Sequence, residues 1–208
     1  MKRYFFLLLV LVLPMSLLGQ TFSGTFLTEF EDFTKKEKGT ILWSVQGDLL
    51  AMETEMKQED KTYQFRTVLN AINNTLSIET KTADGVFYHQ FSSKDLQDDP
   101  DAKSVVLTPA NERKPLHGVS CRKMIASATN HTSEIWVAEN YDFRVSKFGE
   151  LLKSPYGFPG LIEKSVKGFP MEITTRDNVG KIIFTMKVTE VKTGKVDKKQ
   201  FEMQNPNK

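Results

Sequence analysis

Apolar residues recur at every second position along most of this chain. That period leaves few structures open besides an antiparallel β-sheet that buries one face. Ile182, Phe184, Met186 and Val188 fall on one side of a segment whose other side carries Lys181, Thr185 and Lys187. Ile41, Trp43 and Val45 alternate in the same way, followed by Leu50, Met52 and Met56 beyond Gly47-Asp48. Tyr63, Phe65, Thr67 and Leu69 continue the pattern, then Leu76 and Ile78, then Phe87, His89 and Phe91. Ile135 with Val137, and Phe169 with Met171 and Ile173, complete it. Gly39, Gly47-Asp48, Asn73-Asn74, Asp84-Gly85, Asn130 and Thr193-Gly194 punctuate these runs with residue types that favour turns. Phe22, Phe26, Phe30 and Phe33 suit a helix as well as a strand by spacing. Gly24 and the neighbouring threonines favour the strand. The expectation is a meander of strands, each burying one side.

Two segments break the alternation. Val145, Phe148, Leu151 and Leu152 follow helical spacing, which predicts a short amphipathic helix over residues 141–153. Residues 92–103, with Asp95, Asp98, Asp99, Pro100 and Asp101, read as a polar loop. No internal repeat and no change of composition divides the rest. Residues 20–208 are therefore expected to form a single β-rich domain.

The N-terminus carries an address. Met1-Lys2-Arg3 is a short positive region, residues 4–13 are almost continuously apolar, and Pro14 through Gln20 supply a break and a small residue. This is the layout of a secretory signal peptide, here residues 1–19. The apolar run is about ten residues, against the roughly 20 that a membrane-spanning helix needs. No Cys follows it, so lipidation of a processed N-terminal Cys is unavailable. The expected product is periplasmic or secreted, without a lipid anchor, and not an integral membrane protein after cleavage.

Charge narrows the partners. The 28 Lys and Arg fall to 26 once Lys2 and Arg3 are removed, against 26 Asp and Glu. No basic excess remains to neutralise a phosphate backbone, so nucleic acid is not an expected partner. Catalytic signatures are missing from the sequence. There is no Gly-x-Ser-x-Gly elbow, no phosphate-cradling glycine loop and no His-Glu-x-x-His pair. His89, His117 and His131 lie far apart without Cys or carboxylate at ligand spacing. Asp98, Asp99 and Asp101 lack the Gly and Glu that complete an EF-hand loop. No enzyme activity, metal or cofactor is expected. The lone Cys121 shares one strand face with Val119 and Ile125 and reads as a buried apolar residue, since free Cys is among the most buried residue types.

A family resemblance runs through the C-terminal half. Gly168-Phe169-Pro170-Met171-Glu172-Ile173-Thr174-Thr175-Arg176-Asp177, followed by residues 182–191, resembles the signature of an uncharacterised family of exported bacterial proteins known as domain of unknown function 4412. Gly118-x-x-Cys121-x-Lys123-x-Ile125 and Glu134-Ile135-Trp136-Val137-Ala138 are similar to that family's succession of motifs. So are Phe22-Ser23-Gly24-Thr25 and the Gly47-Asp48 turn. The family is distantly similar to periplasmic lipoprotein carriers. The resemblance thus implies a mainly β fold, an open antiparallel half-barrel with a short covering helix and loops.

A half-barrel with a large apolar lining suits acyl chains, because it excludes water from them. The function this implies is an envelope binding protein holding a hydrophobic ligand, such as an acyl chain or a lipidated protein. The alternative is a structural or adaptor envelope protein whose cleft is packed shut. The 15 Phe and 8 Met fit both readings. Candidate lining residues are Trp43, Met52, Phe65, Trp136, Phe148, Leu151, Phe158 and Met171. Phe158 lies between Gly157 and Gly160, as a plug or a gate would. The signal layout makes one direct prediction: intact mass of the exported protein should place its N-terminus near Gln20, in the soluble fraction. A membrane pellet retaining residues 1–19 would refute it.

Overall fold

The computed structural model describes residues 22–82, 85–95, 105–148 and 166–203. Among these residues eleven strands form a single antiparallel sheet. In chain order they are β1 (Ser23–Asp32), β2 (Glu37–Gln46), β3 (Leu49–Gln58), β4 (Lys61–Asn70), β5 (Thr75–Thr82) and β6 (Gly85–Ser92). They continue with β7 (Val106–Leu116), β8 (Val119–Ser127), β9 (His131–Ala138), β10 (Phe169–Asp177) and β11 (Ile182–Thr193). The spatial order is β6-β5-β4-β3-β2-β1-β11-β10-β9-β8-β7. The chain therefore starts in the middle of the sheet, walks to one edge, crosses to the other and returns to pair β11 with β1.

Tight turns set the register that places every apolar side chain. Gln46 pairs with Leu49 across Gly47-Asp48, and Gln58 pairs with Lys61 across Glu59-Asp60. His117 and Gly118 both take positive φ, 49° and 76°, in the two-residue turn that pairs Leu116 with Val119. Positive φ at both central residues matches the right-handed strand twist of a hairpin. Gly39 is a correction to the sequence reading. It lies inside β2, not at a turn, and a Cβ there would collide with the Glu55 carbonyl of the neighbouring strand. A strand glycine at that place marks close backbone approach.

The sheet curls towards its apolar face. Trp43 on β2 and Phe169 on β10 bring ring centroids to 5.5 Å although β1 and β11 lie between their strands. In a flat sheet three strand spacings would separate those backbones by about 14 Å. His117 in the β7–β8 turn reaches the Val188 carbonyl of β11 at 2.8 Å, across the same number of spacings. Phe26 sits at the centre, stacked on Phe169 with centroids 3.7 Å apart and on Phe22 at 4.7 Å.

One end of the sheet is closed by the chain that leaves β9. The Phe22 N–H donates to Asp142, and the Gly168 N–H donates to Phe143. Phe143 and Phe148 are buried in the core, and Lys147 pairs with Asp48 of the β2–β3 turn at 3.0 Å. The helix predicted over residues 141–153 is not what the described part of that segment forms. Residues 141–144 are irregular, and Val145–Phe148 make one 3-10 turn. The pull of two Phe side chains into the core, together with bridging of Arg144 to Lys167, takes precedence over helical spacing. Residues 149–153 lie outside the described residues, as does most of the predicted acidic loop.

Thr28 holds the centre together. Its hydroxyl is fully buried, accepts from Trp43 Nε1 at 3.0 Å and donates to the Ile41 carbonyl at 3.2 Å. It stands at the bulge where β1 shifts register against β11. Thr28→Val should destabilise the protein by about 1–3 kcal/mol, because it removes the buried hydroxyl that accepts from Trp43 Nε1 and donates to the Ile41 carbonyl. Urea unfolding should show that loss, with Thr28→Ser retaining most of the stability.

Candidate ligand-binding face

Register sorts the inner-face side chains into rows that run across the strands. The row nearest the closed end is Val45, Leu50, Leu69 and Leu76, each at most 2% exposed. The next holds Phe26, Trp43, Met52, Thr67 and Ile78. Towards the other end come Ile41, Thr54, Phe65, Thr80 and Phe87, then Phe30, Gly39, Met56 and Tyr63. Burial falls along this series. Ile41 is 1% exposed, Phe65, Met56 and Tyr63 are half-buried, and Phe87 is 49% exposed. The apolar face is thus a closed core at one end and an apolar shelf at the other. Tyr63 and Phe65 line the shelf with nearly parallel rings, 6.3 Å apart.

The sequence-derived candidates divide along that gradient. Trp43 and Met52 face each other in register and are 5% and 6% exposed, while Met171 and Phe148 are each buried at 1%. These four lie in one packed core with Phe26 and Phe169. Phe65 sits on the same face but further along, in the half-buried region. Leu151 and Phe158 lie outside the described residues.

Trp136 is a correction. It points to the opposite face from Ile135 and Val137, where Lys114 Nζ stands 4.4 Å from its ring centroid and Lys123 Nζ 5.8 Å. Lys114 also pairs with Glu172 at 2.7 Å, and Lys123 with Glu134 at 2.9 Å and Glu112 at 3.2 Å. Hydrogen bonds to Glu134 and Glu112 hold the Lys123 ammonium above its ordinary pKa. Trp136 thus carries two lysines over its ring while it packs against the edge of the core.

Met56, Tyr63 and Phe87 belong to the alternating pattern of the sequence but are not among its candidate lining residues, although the signal is present. The two-residue turn at Glu59-Asp60 sets Met56 opposite Tyr63, and alternation then puts Phe65 on their face.

The outer face is of another character. A groove of about 410 Å³ is lined by Glu29, Lys38, Thr40, Glu55, Lys57 and Lys187 among others. A second of about 330 Å³ involves Leu27, Leu42, Glu53, Arg66 and Glu79, and the two meet at Thr40 and Glu55. Alternating carboxylates and ammoniums suit neither an acyl chain nor an ion of one sign. Near the closed end the outer face is covered as well. The 3-10 turn Lys198–Phe201 packs on β3, and Arg66 Nη2 donates to the Lys199 carbonyl at 2.7 Å.

No group of three or more His, Cys, Asp or Glu side chains is placed to hold a metal among the described residues. Among the same residues no helix is long and apolar enough to cross a membrane.

The model of the family called Domain of unknown function (DUF4412) matches residues 27–206. The chain belongs to that family. No curated protein matches the sequence. Two solved structures superimpose with a TM-score of 0.51 over 89% of this chain. One is PNGF-II, 14% identical, and this chain spans 30% of its length. The other is an uncharacterized conserved protein from Thermus thermophilus, 12% identical, of which 88% is covered. At such identities the likeness is one of fold. A putative outer membrane lipoprotein-sorting protein domain from Vibrio parahaemolyticus gives a TM-score of 0.38 at 9% identity, covering 88% of this chain and 90% of that one.

Cys121 is fully buried, and its thiol approaches the Val119 carbonyl at 3.7 Å. Burial pushes its pKa above the ordinary thiol value, which keeps the sulfur neutral and unreactive. A thiol reagent should label Cys121 only after unfolding. Cys121→Ser should leave oligomeric state unchanged and cost about 1–3 kcal/mol, because it puts a more polar, smaller group into a fully buried apolar place. A disulfide-linked dimer on non-reducing gels would overturn that account.

Proposed function

We propose that this protein is an exported envelope binding protein that holds a hydrophobic ligand of acyl-chain class against the shelf formed by Met56, Tyr63, Phe65 and Phe87. The observation that carries the reading is the gradient of burial along one continuous apolar face. A core residue is ordinarily enclosed, yet here four large side chains extend the core surface while remaining accessible. Extended chains of methylene groups match such a surface, because aromatic and thioether side chains set across neighbouring strands offer contact along their length. The signal-peptide layout of residues 1–19 supports placing this activity in the periplasm or outside the cell. A lipidated protein presents the same acyl chemistry and is the partner class we favour. The role is one of binding, without bond-making chemistry.

The packed end favours a second reading, a structural or adaptor protein. Trp43, Met52, Phe148 and Met171 are buried in one cluster with the stacked Phe26 and Phe169. The two readings differ over the shelf alone.

Native mass spectrometry of protein purified from its own envelope, with titration of a fluorescent fatty acid, separates them. The wild type should bind the probe. Phe65→Glu combined with Met56→Glu should weaken binding at least about tenfold, since an ionised carboxylate on an apolar surface disfavours an acyl neighbour. Melting should change little, because both side chains already reach solvent. Probe binding that is absent, or equal in both proteins, would leave the adaptor reading standing.

A further inference from the structure

The sheet has two edges, and they are built differently. β7, at one edge, carries Pro109 and Pro115, loses its register with β8 between Pro109 and Arg113, and presents Glu112, Arg113 and Lys114. Prolines, a bulge and charges are devices by which an edge strand refuses a further strand. Val106, 64% exposed, stands at the start of β7, ahead of both prolines. β6, at the other edge, has none of these devices. Its 8 residues, Gly85-Val86-Phe87-Tyr88-His89-Gln90-Phe91-Ser92, include no proline and no Lys, Arg, Asp or Glu. Each pairs with β5 in unbroken register, and no described strand lies on the other side.

Exposure on β6 belongs to its flank and not to one face. Val86 and Phe87 are successive, so they point to opposite faces of the sheet, yet they are 51% and 49% exposed. His89 and Gln90, again on opposite faces, are exposed as well. A ligand lying on the inner face would cover Phe87 and His89 alone, whereas a strand added alongside would cover all four. The charges nearest to β6 are of both signs. Glu79 and Lys81 on β5 pair with each other at 3.6 Å, Lys94 and Asp95 follow the strand, and Asp84 precedes it. A short segment of high strand propensity, without charge or proline, is the kind that pairs with its own copy.

We propose that β6 is the dimer contact of this protein, pairing antiparallel with β6 of a second copy. A two-fold axis normal to the sheet relates the two strands, so the inner faces of both copies lie on the same side and one residue stands opposite itself. Centring on His89 engages residues 86–92. It sets Phe87 opposite Phe91 of the other copy on the inner face, and Tyr88 opposite Gln90 on the outer one. Cross-strand pairs of this kind stabilise a sheet, and no like charges are brought opposite. A second copy fits better than an unrelated strand because the contact closes: the joined sheet ends in two β7 edges, both blocked. The contact is one strand wide and small for an interface, so association is concentration-dependent. It is independent of whether the shelf holds a ligand.

The test is sedimentation equilibrium of the protein, expressed as the full chain and purified as an exporting bacterial host processes it, over a wide concentration range without added lipid. The wild type should pass from monomer to dimer and form nothing larger. Val86→Lys with Gln90→Lys should raise the dissociation constant at least about tenfold, because like charges then meet across neighbouring strands. The melting temperature of the dilute protein should stay unchanged. Val86→Glu with Gln90→Glu should act in the same way, and mixing the two double variants should restore association. Ile72→Ser, at an exposed position away from β6, should leave the dimer intact. His89→Cys should give a disulfide-linked dimer on oxidation, since the two positions face each other, and Ile72→Cys should not. A monomer at every concentration overturns the proposal and leaves the edge to another protein's strand or to a segment of this chain. A dimer that the charged variants do not weaken, or that their mixture fails to restore, also overturns it. So do growth beyond two copies and absence of the His89→Cys link.

Discussion

The pairing of β1 with β11 makes one sheet out of two meanders. Strands β1 to β6 run outwards in one direction, and β7 to β11 return from the other edge. The two halves share no other neighbouring strand pair in the described sheet. At this seam the register slips by one residue between Leu27 and Thr28. Such a bulge bends and twists the strand that carries it. Over this seam the side chains of β2 and β10 meet, with Trp43 against Phe169. Thr28 satisfies the buried indole there.

Closed core and accessible shelf are parts of the same strands. Each of β1 to β4 is 10 residues long, and the chain after β9 covers their inner face near the β2–β3 turn. Phe143 and Phe148 complete the packing there. Stability is concentrated in that half by the stacked Phe22, Phe26 and Phe169 rings, since large aromatic side chains carry much of the apolar area that a core buries. The other half keeps its form from strand pairing, and this lets it present apolar side chains without depending on them. Residues chosen for size and hydrophobicity fall in the first half. Residues that can meet another molecule fall in the second.

That division explains what the sequence makes legible. Alternation locates the strands, and two-residue turns fix the pairing of β2 with β3 and β3 with β4, because both are local in the chain. Of Phe22, Phe26, Phe30 and Phe33, assigned to a strand and not a helix, Phe26 and Phe30 lie in β1, while Phe22 precedes it and Phe33 opens the turn that follows. Alternation does not say which face is inside when both carry apolar groups. Glu134-Ile135-Trp136-Val137-Ala138 is such a run, and Trp136 went to the wrong side because its lysine neighbours lie on other strands. Gly39 looks like a turn residue until the Glu55 carbonyl opposite it is known. The apparent helix after β9 rests on Val145, Phe148, Leu151 and Leu152, and of these Phe148 is placed by the core, at the end of a single 3-10 turn. The exposure gradient has no local signal at all, since it depends on which rows another segment covers.

The seam also sets the order in which the chain can complete itself. The hairpins from β1 to β6 join strands that follow one another in sequence, so they need no residue beyond Ser92. β11 returns to β1 from far away, with the Thr189 hydroxyl bonding to the Leu27 carbonyl across 162 positions. Contacts of that separation give a high contact order and form late. Until they form, β1 is an edge strand, with the N–H and C=O groups on its β11 side unpaired. An unprotected edge of this kind recruits other strands, from a second chain as readily as from its own. A chain released N-terminus first passes its whole synthesis in that state, and its yield depends on how soon β11 arrives.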